Sequence, residues 1–535
     1  MDSLASRGAS ILAVGAAVLL SSAVAHAGGP MRLEDGQTLR WGEPAEPLHL
    51  ELLGNTLNAA TVYPEELSDA VVAGLQSWSE ASEGLITFDY WQGPELETYP
   101  AALENDGVST IFFASAAGPE LGLSRSTAAY AQLWLDPDTG LVDEVDIVLN
   151  DGGYAFTADP EEVDLGAARP VLLLRSVIVH ELGHAFGLEH SGVYDSTMFT
   201  WSWPGQDSLS CDDVAALRRH MGLGDDALVS GRIVDQNAEP VAAAHVLAVR
   251  ADGTVVGSAL ADADGRYAFD GLEAGRYAFI VEPFFAGAEA LSPGYTEAGD
   301  VCGGSPFGRR VIGDALGVEV RGDVSLGETT VGCEGELAGP FLPLGLSPET
   351  APSLGDEAFE LIEVPASEER FLWLEDVQGP LRVRTTTHGV YSPISTKLTL
   401  YDADGVQVPT SATRPRVPAT EGTEAEWDTE LVLLDLPRGD YLLELGADRL
   451  IDTLYLRGDL YLDTRPFALL SIHAGAEPSP GACEVPTPDP SSYVTPTRPA
   501  PAPTDDESAQ GCSVGGGSPW ALAVLVLLGA WRRQT

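Results

Sequence analysis

The stretch His180-Glu-Leu-Gly-His-Ala-Phe-Gly-Leu-Glu-His190 decides how the rest of this chain is read. Residues four apart lie on one face of an α-helix, so His180 and His184 direct their imidazoles to a single point, with Glu181 beside it. An unbroken helix would carry His190 away from that point. Gly187 stands where the chain has to turn back, and glycine accepts the left-handed conformation that ends a helix. The pattern therefore gathers neutral imidazoles around one metal ion and leaves a tetrahedral position for water, as a catalytic rather than a structural zinc requires. Bound zinc lowers the pKa of its water to about 7 and polarises a carbonyl group, while Glu181 is placed as general base. The reaction class this predicts is hydrolysis of a peptide bond.

Beyond the third histidine come Ser191 and then Ser196-Thr-Met-Phe199. This resembles the Met-turn of the metzincin zinc peptidases, and the ensemble is closest to their matrixin branch. The resemblance extends to Trp41, to Asp106-Gly107 before a strand, to Asp146-Ile-Val-Leu-Asn150 and to Asp212-Asp213. It implies an α/β catalytic domain over 31–223, with zinc on His180, His184 and His190 and Met198 as an apolar floor beneath them. It also implies that the loop after Met198, with Thr200, Trp201 and Trp203, shapes the specificity pocket. The strand Ala128 to Trp134 would be the sheet edge on which substrate adds as an extended strand. Two departures stand out. No cysteine precedes the catalytic helix after the leader, so a cysteine-switch propeptide is excluded. His49 is the only histidine between residues 28 and 180, which leaves a second, structural zinc without ligands.

Leu67, Val71, Leu75 and Trp78 recur at helical spacing after Pro64, and strands are expected at 109–115, 128–134 and 145–150, with a turn at Asp136-Pro-Asp-Thr-Gly140. The catalytic helix is expected to begin just after Pro170. Ser210 and Asp213 have the spacing of a capping box before a last short helix.

From about Leu228 the pattern changes to short strands and turns. Gly231-Arg-Ile-Val-Asp235, Asp262-Ala-Asp-Gly-Arg-Tyr-Ala-Phe269 and Gly271-Leu-Glu-Ala-Gly-Arg-Tyr277 resemble the carboxypeptidase regulatory-like domain, a β-sandwich, placed at 228–335. Asp264-Gly265 reads as a hairpin turn. A further β-rich region, 345–475, resembles the bacterial pre-peptidase C-terminal sandwich through Leu398-Thr-Leu-Tyr-Asp-Ala-Asp-Gly405 and the segment 436–445. The fold class is thus multidomain: a metzincin-like α/β catalytic domain followed by two all-β sandwiches. His245, His388 and His473 are isolated in sequence and are read as ordinary core or surface residues.

At 535 residues the chain is too long for one core, and an apolar fraction of 44% is enough to build several. A net charge of −53 argues against nucleic acid as a partner, because phosphate binding needs Lys and Arg, and Lys397 is the only lysine. The acids are read mainly as a solvated surface, clustered carboxylates holding Ca²⁺ being the other use. Arg7 and the apolar run from Ile11 to Val24, with Ala25-His26-Ala27, read as a signal peptide over 1–27. Of the five cysteines, Cys302 and Cys333 share a domain and can pair, and an odd one remains among Cys211, Cys483 and Cys512. Residues 476–511 read as a Pro-rich linker. The tail 512–535, with Cys512 before a short apolar run ending in arginines, resembles MYXO-CTERM sorting tails and implies processing or lipidation there and association with a membrane or cell surface. The expected partners are protein or peptide substrates. The competing reading is a surface adhesion or scaffolding protein that keeps the metal-bound fold without turnover.

Overall fold

A computed structural model describes the chain from residue 29 to 474, apart from 34–36, 42–47, 53–63, 93–104, 106, 115–122, 124–126, 137, 194–195, 201–205, 224–226, 251–252, 271, 285–306, 314–316, 334–341, 366–367, 388–393, 410, 414–428 and 451–466, and again over 520–527. The leader, the linker, Trp201, Trp203, Cys302, His388, Cys483 and Cys512 lie outside the described residues.

The N-terminal unit is a mixed sheet of β1 (Arg40–Trp41), β2 (Leu48–Leu52), β3 (Phe88–Gln92), β4 (Ser109–Phe113), β5 (Thr127–Asp136) and β6 (Leu141–Leu149). The order is β5-β6-β4-β2-β3, and β1 shares an edge of β6 with β4. Neighbours run parallel except β5, which is antiparallel to β6. Every residue of β4 is buried, as a strand covered on both faces requires. Helix α1 (Pro64–Ala81) lays Leu67, Val71, Leu75 and Trp78 into the core, all almost fully buried. The Trp78 indole N–H donates to Val179 O at 2.9 Å and its ring meets Phe186 edge-on at 6.2 Å, which locks α1 across the helix that carries His180 and His184.

That helix does not begin at Pro170. Val171–Leu173 forms a short strand, β8, paired in parallel with β7 (Ala155–Thr157), and helix α2 runs from Leu174 to Ala185. A partner strand in a separate part of the chain claims the backbone groups that a first helical turn would have left open. Helix α3 (Cys211–His220) opens with the expected capping box between Ser210 and Asp213.

The next unit comprises β9 (Leu228–Val234), β10 (Ala244–Arg250), β11 (Val255–Leu260), β12 (Arg266–Asp270), β13 (Gly275–Pro283), β14 (Arg310–Ile312), β15 (Val318–Val320) and β16 (Val324–Thr330). One sheet has the order β11-β10-β13-β14, with β15 also on β13, and the other β12-β9-β16. Val246, Phe269 and Phe279 from the two sheets meet in one core. Asp264-Gly265 is a turn, but not of a hairpin: β11 before it and β12 after it belong to different sheets, so the chain crosses the sandwich there. The strands between Ser353 and Ala474 form a four-stranded and a five-stranded sheet around a third core that includes Leu372, Val383, Leu400 and Leu443. No helix among the described residues is long and apolar enough to cross a membrane.

The strand Trp520–Leu527 pairs antiparallel with β5, from Trp520 opposite Leu135 to Leu527 opposite Thr127. β5 is therefore paired on both sides, and the expectation of a free edge open to substrate is corrected. An apolar stretch with two β-branched residues, Val524 and Val526, satisfies the unpaired N–H and C=O groups of such an edge.

Candidate metal centre

The donors come from two elements. His180, Glu181 and His184 lie on α2, and His190 returns after the helix ends at Ala185. Gly187 has φ +83, and a Cβ there would lie 2.6 Å from Leu39 O, so both conformation and space demand glycine. The return is held by the N-terminal segment: Met31 N–H donates to Gly187 O and Glu189 N–H to Gly29 O, each at 2.7 Å. The ligand nitrogens of His180, His184 and His190 lie within 4.8 Å of one another, and all three residues are buried.

Each helix histidine is oriented from its far nitrogen. His180 Nδ1 is 2.7 Å from Thr197 O and His184 Nδ1 is 2.8 Å from Leu188 O. Donation from Nδ1 leaves Nε2 bare, and the Nε2 atoms of both are buried without a hydrogen-bond partner. Buried bare imidazole nitrogens facing one point are costly unless a cation fills it, so the residues fit a zinc ion. Burial holds His180 down to about 3, with His190 adding to the shift, and holds His184 well below the usual imidazole range, so both stay neutral as ligands must. Glu181 is fully buried. Burial pushes its carboxyl well above the usual range, opposed by the backbone of Ala131 on β5.

Met198 is buried directly beneath α2, and a Cβ on Gly183 would collide with its sulfur and with Trp78. The turn that carries it is pinned by α3. Asp213 accepts from Ser196 Oγ (2.5 Å), Thr197 N–H (2.8 Å) and Met198 N–H (3.1 Å), and also from Ser210 N–H (2.8 Å). Ser191 Oγ donates to Asp212 at 2.6 Å. Asp212-Asp213 thus ties the loop after His190 and the Met198 turn to one helix end. Glu189 was not singled out from sequence. It is buried and accepts from His190 N–H at 2.9 Å.

A recess beside the histidines is walled by Ala128, Ser176, Val177, Thr197 and Gln206. Ser176 Oγ is buried in it without a partner. Thr200 is buried and is not part of that wall, so the described pocket is set by β5, α2 and Gln206 rather than by Thr200. The signal for Ser176 was its position one turn before His180 on the same helix face.

Cys333 is disulfide-bonded, and so is Cys211. The aspartates at 262 and 264 are spent on a turn: Asp262 Oδ1 accepts from Asp264 N–H (2.9 Å) and Arg266 N–H (2.8 Å). Among the described residues the histidine triad is the one cluster able to hold a metal, and no carboxylate group gathers for Ca²⁺. His245, read as ordinary, is buried, with its Nδ1 3.1 Å from Glu282 Oε1.

Residues 136–221 match the family model for matrixin, and residues 228–291 match that for the carboxypeptidase regulatory-like domain. No curated protein matches the chain. Similarity to solved structures is slight. BcpA, the major pilin subunit of Bacillus cereus, is 15% identical with a TM-score of 0.13, over 42% of this chain and 59% of that one. A DUF3823 family protein from Bacteroides uniformis is 8% identical with a TM-score of 0.14, over 47% of this chain and 100% of that one. The RrgB pilus protein from Streptococcus pneumoniae is 13% identical with a TM-score of 0.12, over 42% and 45%. Sequence and geometry agree on a matrixin-like segment whose histidines can bind zinc, followed by a regulatory-like β-domain.

Proposed function

We propose that this chain is an exported zinc-dependent endopeptidase, kept at the cell surface through its C-terminal tail, that cleaves protein or peptide substrates. The observation that carries the reading is Glu181, a buried carboxyl beside converging imidazoles, those of His180 and His184 bare at Nε2, in a segment that matches the matrixin family. His180, His184 and His190 would hold the zinc. When bound, zinc supplies Lewis acidity to a carbonyl and to a water. Glu181 takes the water's proton and returns it to the leaving amine, its raised affinity for protons matching a base that must work near neutral pH. The buried β5 backbone and the Ser176 recess keep bulk water away from Glu181.

Elemental analysis of the purified chain is expected to show about one zinc, and a generic unfolded protein to be hydrolysed in a chelator-sensitive manner. Glu181→Ala is expected to keep zinc and lose on the order of 10²- to 10⁴-fold in turnover. Zinc at full occupancy with no turnover in the wild type would favour the adhesion or scaffold reading, in which the β-sandwiches do the work.

A further inference from the structure

The sandwich that follows the metal-binding unit is not an independent appendage. On β10, Ala244, Val246 and Ala248 face the sandwich core, whereas Leu247 and Val249 face outward. On β13 the same alternation turns Ala278 and Ile280 outward. That outer face is buried too: it forms one apolar cluster with Val193 of the loop after His190, and with Leu361 and Leu469 of the third unit. Helix α3 reaches the same sheet, Arg219 donating to Ser258 O at 3.4 Å.

At the head of this face stands His245, with no exposed surface. Its Nδ1 is 3.1 Å from Glu282 Oε1, and Glu282 Oε2 is 2.7 Å from Arg309 Nε. The ring so fixed lies against Gly192: a Cβ built on Gly192 would come within 2.6 Å of His245 Cε1 and 2.7 Å of Nδ1. Ser191 follows His190 directly and Gly192 and Val193 come next; the Ser191 hydroxyl donates to Asp212 and accepts from Val193 N–H.

We propose that His245 is a positioning residue for the metal centre: its imidazole, oriented by Glu282 and Arg309, sets the path of Gly192 and through it the place of His190. The regulatory-like sandwich is then a wall of the centre rather than a separate module. This rests on the zinc reading proposed above. Gly192 is glycine because the ring leaves no room for a side chain, and an imidazole held by an ion-paired carboxylate is a stiffer stop than an aliphatic chain of similar size.

The test is zinc affinity of the full chain by chelator competition, with thermal unfolding in parallel. Gly192→Ala is expected to weaken zinc binding about 10- to 100-fold, the range typical for groups that support ligands. His245→Ala is expected to weaken it about tenfold. The double variant Gly192→Ala/His245→Ala should bind zinc more tightly than Gly192→Ala alone, because the space vacated by the ring accepts the methyl group. His245→Gln, which keeps an amide donor for Glu282, should recover most of the wild-type affinity. Ile312→Ala, on β14 and facing the sandwich core, should lower the melting temperature and leave zinc affinity unchanged. Should Gly192→Ala fail to fold, His245→Ala against His245→Gln decides alone. Zinc affinity indifferent to His245 and Gly192, or tracking melting temperature across all variants including Ile312→Ala, overturns the positioning role. Absence of zinc binding by the wild type overturns the proposed function and this inference with it.

Discussion

His220 shows how closely single side chains are coupled around the centre. A Cβ on Gly187 would lie 3.0 Å from its Nε2, so the last residue of α3 closes the turn that returns His190. Burial holds His220 at about 4, with Arg32 and then Arg40 adding to the shift. Between that value and the usual 6.5 the unfolded chain binds a proton that the folded chain refuses. Its contribution to stability is therefore whole above about pH 6.5 and is lost as pH falls towards 4. In the metal-free chain, the stability gap between wild type and His220→Gln should narrow from about pH 7.5 to about pH 5, followed by urea unfolding. A gap that widens on acidification would contradict the assignment. Asp213 works with the opposite sign. Burial, then the charge of Asp212, raise it to about 6, so its contribution is present below the usual 3.8 and fades as pH rises through 6.

At the scale of elements, α3 matters more than its ten residues promise. Its Asp213 carboxylate accepts from the Ser210 N-cap in the capping box and holds the Met198 turn, whose Thr197 carbonyl orients His180. Asp213→Asn keeps the shape but exchanges an acceptor for a donor among buried N–H and O–H donors. It should cost on the order of 2–4 kcal/mol in urea unfolding and weaken zinc binding in the same preparation. Unchanged zinc affinity with lost stability would confine Asp213 to the helix cap. The capping box was legible because it is local: Ser210 and Asp213 are three residues apart. The start of α2 was not, since β8 forms only because Ala155–Thr157 lies alongside it. The crossing at Asp264-Gly265 was misread for a related reason: turn chemistry specifies the bend, not which strand each arm finds.

For the whole molecule, the contact between β5 and Trp520–Leu527 joins residues 385 to 400 positions apart. A chain truncated after Asp506 should show several-fold faster amide hydrogen exchange across Thr127–Leu135, because the groups facing the tail strand lose their acceptors. Exchange identical to the full chain would mean that this edge is closed by something other than the tail.

What the sequence determined by itself is the histidine triad able to hold a metal and the order of the matrixin-like and regulatory-like segments. Helical spacing of four, a glycine at the helix end and a returning histidine are local relations, and three to four residues of helix geometry suffice to read them. Even Val246-Leu-Ala-Val249 carries a sign of this: an unbroken apolar run in an antiparallel sheet means that both faces are covered. Only the tertiary structure decided what covers them. It placed His245 against Gly192, Glu189 and Leu188 behind the ligands, and a terminal strand along β5. Each of these is a contact between distant segments, whose choice depends on the shape and register of surfaces that exist only once the neighbouring cores have formed.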